Sequence, residues 1–243
     1  MFKILVIGDS CRDVFRYVKT VRIAPDLPIP ILEPIRTSKN PGMAMNVKRN
    51  IEKLNGPVDM ITNNNWEKIT KTRIVDDSSN HTFVRIDAGI APEPFRGISS
   101  IDFEIYDAIM ISDYNKGFLS KLDIERICRK HPKTFLDTKK PLGAWANFAK
   151  YIKINEYEYL NSGIISEKLK KKLIVTAGGR GAFFRSKRYK VKEVSVVDTS
   201  GAGDSFFAAM VWDLLRTNDI ESSITFANEM ASEVVRRRGV TFI

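Results

Sequence analysis

Residues 198–204 read D-T-S-G-A-G-D and are the part of the chain best suited to chemistry. They follow an apolar run at 194–197 and lead directly into an apolar helical stretch that starts at Ser205. Glycines let the backbone turn tightly, and the first N–H groups of a helix are unpaired and carry the positive end of its dipole. This predicts an anion site at the following positions: the amides of Gly201, Ala202 and Gly203, with Asp204 beside them.

Two roles are open for Asp204. An aspartate at a helix start commonly caps the helix. Beside a phosphate site, the same carboxylate is also placed to take a proton from an attacking hydroxyl group. For an isolated G-x-G-D the capping role is the commoner one, because short glycine motifs are frequent by chance.

Four segments, in order along the chain, resemble the ribokinase-like (pfkB-type) carbohydrate kinases. They are 4–9 (I-L-V-I-G-D) with Asp13, 40–46 (N-P-G-M-A-M-N), 155–158 (N-E-Y-E) and 198–204. The resemblance implies an α/β ribokinase-like fold, with a central, mostly parallel sheet flanked by helices and a small β lid. It also implies transfer of a phosphoryl group from ATP to a sugar, with Asp204 as the base. Met43 departs from the family pattern, because it replaces the second glycine of the usual pair.

One branch of that family is resembled more closely, the kinases of D-glycero-D-manno-heptose 7-phosphate. Three segments carry this likeness: 22–30 (R-I-A-P-D-L-P-I-P), 111–117 (I-S-D-Y-N-K-G) and 136–139 (L-D-T-K). The branch phosphorylates the anomeric hydroxyl to give the 1,7-bisphosphate. Two alternatives stay open: another pfkB-type sugar or nucleoside kinase, and a catalytically inactive nucleotide-binding homologue.

The same resemblance implies the remaining site residues. Those expected to face the sugar phosphate are Asp9, Asp13, Gly42, Asn46, Lys71, Arg73, Arg85, Asp113 and Lys116. Those expected to face the nucleotide are Asn155, Thr176, Gly178, Gly181 and Asn228. Asn155 and Glu158 would hold Mg²⁺ through water, since magnesium keeps several waters and takes few protein ligands. On the tetrapeptide alone, an Asx turn and a surface carboxylate would be the better explanation of this pair.

Length and composition favour one globular enzyme. With 243 residues and 43% hydrophobic content, the chain can bury one α/β core plus a small sheet, so we expect a single domain over 1–243. The formal charge of +10 comes from scattered lysines and arginines, which favours a solvated basic face over a nucleic-acid site. Two distant cysteines predict neither a disulfide nor a zinc site. Lacking a leader pattern or an apolar run of about 20 residues, the chain is expected in the cytoplasm and off the membrane.

Local patterns predict the lid and the edge of the sheet. Prolines around 25–34 indicate short, exposed strands, and the lid strands are expected at about 15–36 and 70–87. A hairpin is expected over 182–197. The segment 62–70 is shorter than in family members, so the edge of the sheet should be trimmed. A homodimer through the lid could still form, although the shortened edge leaves its geometry open.

Overall fold

The computed structural model describes residues 2–241 and 243 as a large and a small β-sheet with helices around the large one. The strands are, in chain order, β1 (Ile4–Gly8), β2 (Ser10–Ile23), β3 (Pro30–Met43), β4 (Val58–Ile61), β5 (Thr70–Asp76), β6 (Thr82–Ala88), β7 (Ala108–Asp113), β8 (Thr134–Thr138), β9 (Tyr151–Asn155), β10 (Leu173–Thr176), β11 (Ala182–Phe184) and β12 (Lys187–Tyr189). The helices are α1 (Ala44–Lys53), α2 (Lys121–Lys130), α3 (Glu156–Leu160), α4 (Glu167–Lys170), α5 (Ala202–Thr217) and α6 (Ile220–Val235).

The large sheet has the order β12-β11-β10-β9-β8-β7-β1-β4. The strands from β10 to β4 in this order run parallel, and β11 and β12 add an antiparallel edge. In open sheets of this kind, ligands bind at the carboxyl ends of the strands. The carboxyl ends of the parallel strands all lie at the same end of this sheet. The mostly parallel α/β architecture predicted from the sequence is confirmed.

Apolar side chains are buried on both faces of the large sheet, as parallel sheets require. On one face, α1, α5 and α6 pack around Phe206, Phe207 and Met210. On the other face, α2 and the 3₁₀ helix Ala144–Phe148 cover a second cluster. Helix α5 is buried over most of its length, which fixes its first turn firmly against the sheet. Among the described residues, no helix is both long and apolar enough to cross a membrane.

The small sheet forms the lid and has the order β3-β2-β5-β6. Its first two strands are 14 residues each, far longer than the short strands that the prolines indicated. The ladder accommodates Pro30 and Pro34 because β3 is an edge strand and the register shifts between Tyr17 and Val18 and again between Thr20 and Arg22. The lid is anchored where Ser10 and Met43 pair beside the end of β1.

Two further sequence expectations are decided by the structure. The connection from β4 to β5 contains only the 3₁₀ turn Trp66–Lys68, so the trimmed edge is confirmed. The hairpin predicted over 182–197 is wrong beyond Tyr189, because residues 190–197 form no strand. Their chain is held instead at the end of α6, where Val197 and Asp198 both donate N–H bonds to the Val235 carbonyl, at 2.8 and 3.1 Å.

Candidate active site

Asp204 lies in the first turn of α5 but does not cap it. The cap position is Gly201, whose φ of 86° lies in the left-handed region, and no side chain accepts a capping bond there. A Cβ at Gly201 would come within 2.9 Å of the Asn46 side chain, so only glycine fits this turn. Since capping does not account for Asp204, its carboxylate is available for another role.

The Asp204 carboxylate is held by one donor on each oxygen. Tyr114 Oη donates to Oδ1 at 2.5 Å, and Asn46 Nδ2 donates to Oδ2 at 2.9 Å. Burial raises the pKa of Asp204, because a low-dielectric environment disfavours the charged form, whereas the two hydrogen bonds favour that form and oppose the shift. A buried, oriented carboxylate of raised basicity is the arrangement expected of a general base.

The glycine turn forms only part of the predicted anion site through its amides. Ala202 donates its N–H to the Thr199 carbonyl at 3.3 Å, so the prediction that this amide is free to bind an anion is wrong. The positive charge comes from a side chain instead: the Lys153 ammonium lies 3.0 Å from where a Cβ on Gly203 would stand. The candidate anion site therefore consists of the backbone at Gly201 and Gly203 and the ammonium group of Lys153.

Lys153 belongs to a cluster of buried ion pairs at the ends of β8 and β9. Its Nζ lies 2.8 Å from Asp137 Oδ2, and both side chains are 3% exposed. Lys139 Nζ contacts Glu158 Oε1 at 2.5 Å and lies 3.7 Å from Asp137. Burial opposes the charge of Lys139, but Asp137 and Glu158 outweigh it, and the pKa of Lys139 is raised above its ordinary value. The side chains of Lys139 and Lys153 are thus fixed by carboxylates near Asp204.

A cavity of about 740 Å³ opens in front of these groups. All the residues predicted to form the catalytic turn and the nucleotide site line it: Gly201, Ala202, Gly203, Asp204, Asn155, Thr176, Gly178, Gly181 and Asn228. Val191, Val194 and Val235 are also among the lining residues. A lining with both apolar and charged side chains suits a nucleotide, which has an apolar base and charged phosphates.

The predicted magnesium residues Asn155 and Glu158 are bonded to each other. Asn155 Oδ1 accepts the Glu158 N–H and caps α3, while Asn155 donates its own N–H to Glu158 Oε2 and its Nδ2 to Glu158 Oε1, all at 2.8 Å. Lys139 Nζ shares Glu158 Oε1. Within 2–241 and 243, no group of three or more His, Cys, Asp or Glu side chains could hold a metal ion directly. The pair is a capping box that also holds Lys139.

Several residues predicted to face the sugar gather at the foot of the lid. Arg73 Nη1 donates to Asp13 Oδ1 at 2.9 Å. A Cβ on Gly42 would stand 2.0 Å from Asp13 Oδ2, so glycine is required there for Asp13 to keep its place. Asn46 Oδ1 is buried and accepts no hydrogen bond within the described residues, which leaves an acceptor facing this region.

Four of the predicted sugar-facing residues are engaged otherwise or lie apart. Asp9 is fully buried, and its carboxylate accepts the N–H groups of Tyr114 and Phe118 at 2.8 and 3.3 Å. Burial, with a smaller contribution from the nearby Asp113 charge, raises the pKa of Asp9. Asp113 is 1% exposed and bonds Lys140 and Thr138.

The other two lie further out. Arg85 is fastened to Asp87 by two hydrogen bonds, and Lys116 is exposed. Because the carboxylates of Asp9 and Asp113 are used inside the protein, we correct their role to fixing the chain that follows β7.

Three residues of the site were not singled out from the sequence. Tyr114 lies inside the segment 111–117, Lys139 in 136–139, and both were quoted there only for their family likeness. Lys153 could have been found from its place in a buried strand, between Ile152 and Ile154, because an unpaired lysine is almost never buried. All three line the cavity.

Comparisons with known proteins agree with this geometry. Residues 134–243 match the pfkB family carbohydrate kinases. Among solved structures it resembles Arabidopsis thaliana ribokinase complexed with ribose and ATP (TM-score 0.71, 16% identity, 98% of this chain and 94% of that one). It also resembles a nucleoside kinase of Methanocaldococcus jannaschii (TM-score 0.69, 17% identity, 99% of this chain and 93% of that one). These likenesses confirm the ribokinase-like fold.

Curated relatives align with nearly the whole chain. The protein is 28% identical to the bifunctional protein HldE of Helicobacter pylori (strain J99 / ATCC 700824) and 29% identical to that of Helicobacter acinonychis (strain Sheeba), with 98% of the chain aligned in each case. The chain spans 64% of the length of both relatives.

The buried pair of Lys153 and Asp137 gives a testable prediction. Replacing Lys153→Met leaves the Asp137 carboxylate buried without its nearest cation, and we expect the free energy of unfolding to fall by about 3 kcal/mol. Urea denaturation measures the change. The double variant Lys153→Met/Asp137→Asn should recover most of the loss, because the charge that lacked a partner is removed. If the double variant is as unstable as the sum of the single changes, the pair is not coupled as described.

Proposed function

We propose that the chain transfers the γ-phosphoryl group of ATP to the anomeric hydroxyl of D-glycero-D-manno-heptose 7-phosphate, giving the 1,7-bisphosphate. The observation that carries this proposal is the buried Asp204 carboxylate at the start of α5, beside the glycine turn and at the mouth of the cavity. The pfkB-type domain supports an ATP-dependent sugar kinase in general. The particular sugar is the further step proposed here.

In this reaction the sugar oxygen attacks the γ-phosphorus atom. A new sugar O–P bond forms, the bond from the γ-phosphorus to the bridging oxygen breaks, and ADP leaves with those electrons. The hydroxyl proton passes to Asp204, which must be ionised to receive it. Tyr114 and Asn46 each occupy one lone pair of the carboxylate, so acceptor capacity remains for the sugar hydroxyl.

Charge on the transferred group is met by fixed cations. The transition state spreads negative charge over the equatorial oxygens, and preorganised positive groups stabilise it without reorganisation. Lys153 at Gly203 and Lys139 beside it lie where the terminal phosphate would rest between the glycine turn and Asp204. In this proposal magnesium would be carried by the phosphates of ATP and would offset part of their charge, and the reaction is assigned to the cytoplasm.

A phosphorylated acceptor is favoured by the charges at the lid. Lys71 is 8% exposed, and Arg73 lies on the same face of β5, two residues further along. Lysine and arginine side chains so placed suit a sugar phosphate better than a neutral sugar. The three segments that resemble heptose 7-phosphate kinases, and the relatives named HldE, support heptose 7-phosphate among such acceptors.

The kinase assignment is tested with Asp204→Asn. Without a base, we expect kcat to fall by at least about 100-fold while ATP still binds, because the isosteric amide keeps the shape of the site but cannot take the proton. The assay follows ADP release with ATP and a panel of acceptors: heptose 7-phosphate, other sugar phosphates, free sugars and nucleosides.

Asp213→Asn is the matched control, because Asp213 is also buried in α5 but bonds Ser223 away from the cavity. Its kcat should stay near that of the wild type. Turnover of a nucleoside or another sugar instead of heptose 7-phosphate would contradict the proposed substrate. Binding of ATP without phosphorylation of any acceptor would leave an inactive nucleotide-binding homologue.

The role of the lid charges is tested with Lys71→Met. We expect KM for the sugar phosphate to rise by about tenfold or more, because a hydrogen bond to a charged group is lost, and KM for ATP to stay unchanged. The control is Lys68→Met, an exposed lysine three residues earlier in the chain. Equal effects of both variants, or a change in KM for ATP alone, would contradict a role for Lys71 in acceptor binding.

We also propose that two copies of the chain pair through their lids. Val84 and Ile86 flank Arg85 on β6, so they lie on the face opposite to Arg85, and both are about half exposed, as are Ile23, Ile29 and Ile35 of the long hairpin. Exposed apolar side chains gathered on one small sheet are typical of a protein interface.

Light scattering coupled to size exclusion should give about twice the chain mass of 27.6 kDa. Ile86→Asp should reduce this to one chain, because a charge would be buried in the contact. Ile164→Asp changes a fully exposed isoleucine of the loop before α4 and should have no effect. A wild-type protein of single-chain mass would contradict the pairing.

A further inference from the structure

Of the two hydrogen bonds to the proposed base Asp204, the one from Tyr114 is the shorter, and the proposed reaction assigns Tyr114 no role of its own. Its Oη donates to Asp204 Oδ1 at 2.5 Å, shorter than the 2.9 Å contact from Asn46 to the other oxygen. The residue follows β7 directly and lines the cavity. A hydroxyl donor on a buried carboxylate fixes the direction in which that carboxylate points.

The backbone at Tyr114 is itself held by two buried carboxylates. Its N–H donates to Asp9 Oδ2 at 2.8 Å, while Asp113 Oδ1 accepts the N–H of Asn115 at 3.1 Å. Asp9 also accepts the N–H of Phe118, so the turn is fastened at both ends. The chain reverses here at Asn115, whose φ of 56° is left-handed. The two aspartates with no direct part in the chemistry therefore place one aromatic ring.

That ring lies beside ammonium groups from both sheets. Lys71 Nζ of the lid strand β5 is 4.9 Å from the ring centroid, and Lys139 Nζ at the end of β8 is 5.1 Å from it. Cations at these distances are attracted by the ring. Lys71 belongs to the acceptor side of the site and Lys139 to the nucleotide side, so Tyr114 stands where the two substrates would meet.

We propose that Tyr114 is a positioning residue: its hydroxyl holds Asp204 aimed at the acceptor, and its ring ties the base to Lys71 of the lid and Lys139 of the nucleotide site. The inference rests on the proposed function, because it assigns a purpose to a contact with the catalytic base. Tyr114 transfers no group itself.

The electrostatics of the pocket agree with this role. The titratable groups that interact with Asp204 come from several elements: Cys11 from the lid, Asp137, Lys139 and Lys153 from the large sheet, and Tyr114. Asp13 and Lys71 of the lid interact with Tyr114. Burial raises the pKa of Asp204, and the Tyr114 bond opposes that shift by stabilising the ionised form. Burial, with the nearby Asp204 charge, also raises the pKa of Tyr114, so the phenol stays a donor at neutral pH.

The test is Tyr114→Phe, which keeps the ring and removes only the hydroxyl. We expect kcat to fall by about tenfold or more with little change in either KM, since a charge-assisted hydrogen bond is lost. The acidic limb of the pH–kcat profile should move to higher pH by about one unit, because the ionised base is less stabilised. Tyr106→Phe is the matched control, because it removes a hydroxyl that donates to Asp59 of the edge strand β4. Both kcat and the pH profile should stay unchanged in this variant.

A second readout does not depend on knowing the acceptor. Carboxyl ¹³C NMR of aspartate-labelled protein, with the Asp204 signal assigned by its loss in Asp204→Asn, should show a higher pKa for Asp204 in Tyr114→Phe than in the wild type. If neither this pKa nor the pH profile moves, the inference about Tyr114 is wrong even in an active kinase. If the pKa rises but the wild type phosphorylates no acceptor, the contact stands and the proposed function fails.

Discussion

The site is organised around one buried carboxylate that has to remain ionised. Asp204 is 4% exposed, so the protein must offset the cost of removing its charge from water. It does so with hydrogen bonds from two elements distant in sequence: Asn46 in α1, at the root of the lid, and Tyr114 at the end of β7. Lys153 adds a cation from β9. Four segments, α5, α1, the end of β7 and β9, must therefore come together before this carboxylate can serve as the proposed base.

The same need explains the polar groups that lie behind the site. Asp137 and Glu158 hold Lys153 and Lys139 in place, and removing one partner of such a buried pair would leave a costly isolated charge. Asp9 is a further step removed, since it holds the turn that carries Tyr114. Several buried polar side chains therefore serve to position the carboxylate, hydroxyl and ammonium groups that line the cavity.

The sequence was sufficient for the parts of this arrangement that depend on local chemistry. Asp204 and the glycine turn were found because a tight glycine turn and a helix start leave a recognisable pattern, and the family resemblance predicted the mostly parallel large sheet. The long lid strands were missed because their prolines lie on an edge strand, which only the pairing order reveals. Asp9, Asp113 and Glu158 were assigned to ligands because a sequence does not show that a carboxylate's oxygens are already satisfied by backbone N–H groups or a lysine.

The measurement that tests the central claim most directly is a crystal structure with a non-hydrolysable ATP analogue bound. The account predicts that the terminal phosphate rests against Gly201 and Gly203, in contact with Lys153, with an Asp204 oxygen facing it across a gap wide enough for one hydroxyl group. An analogue bound with its phosphates directed away from α5, or with Asp204 turned from the terminal phosphate, would contradict it.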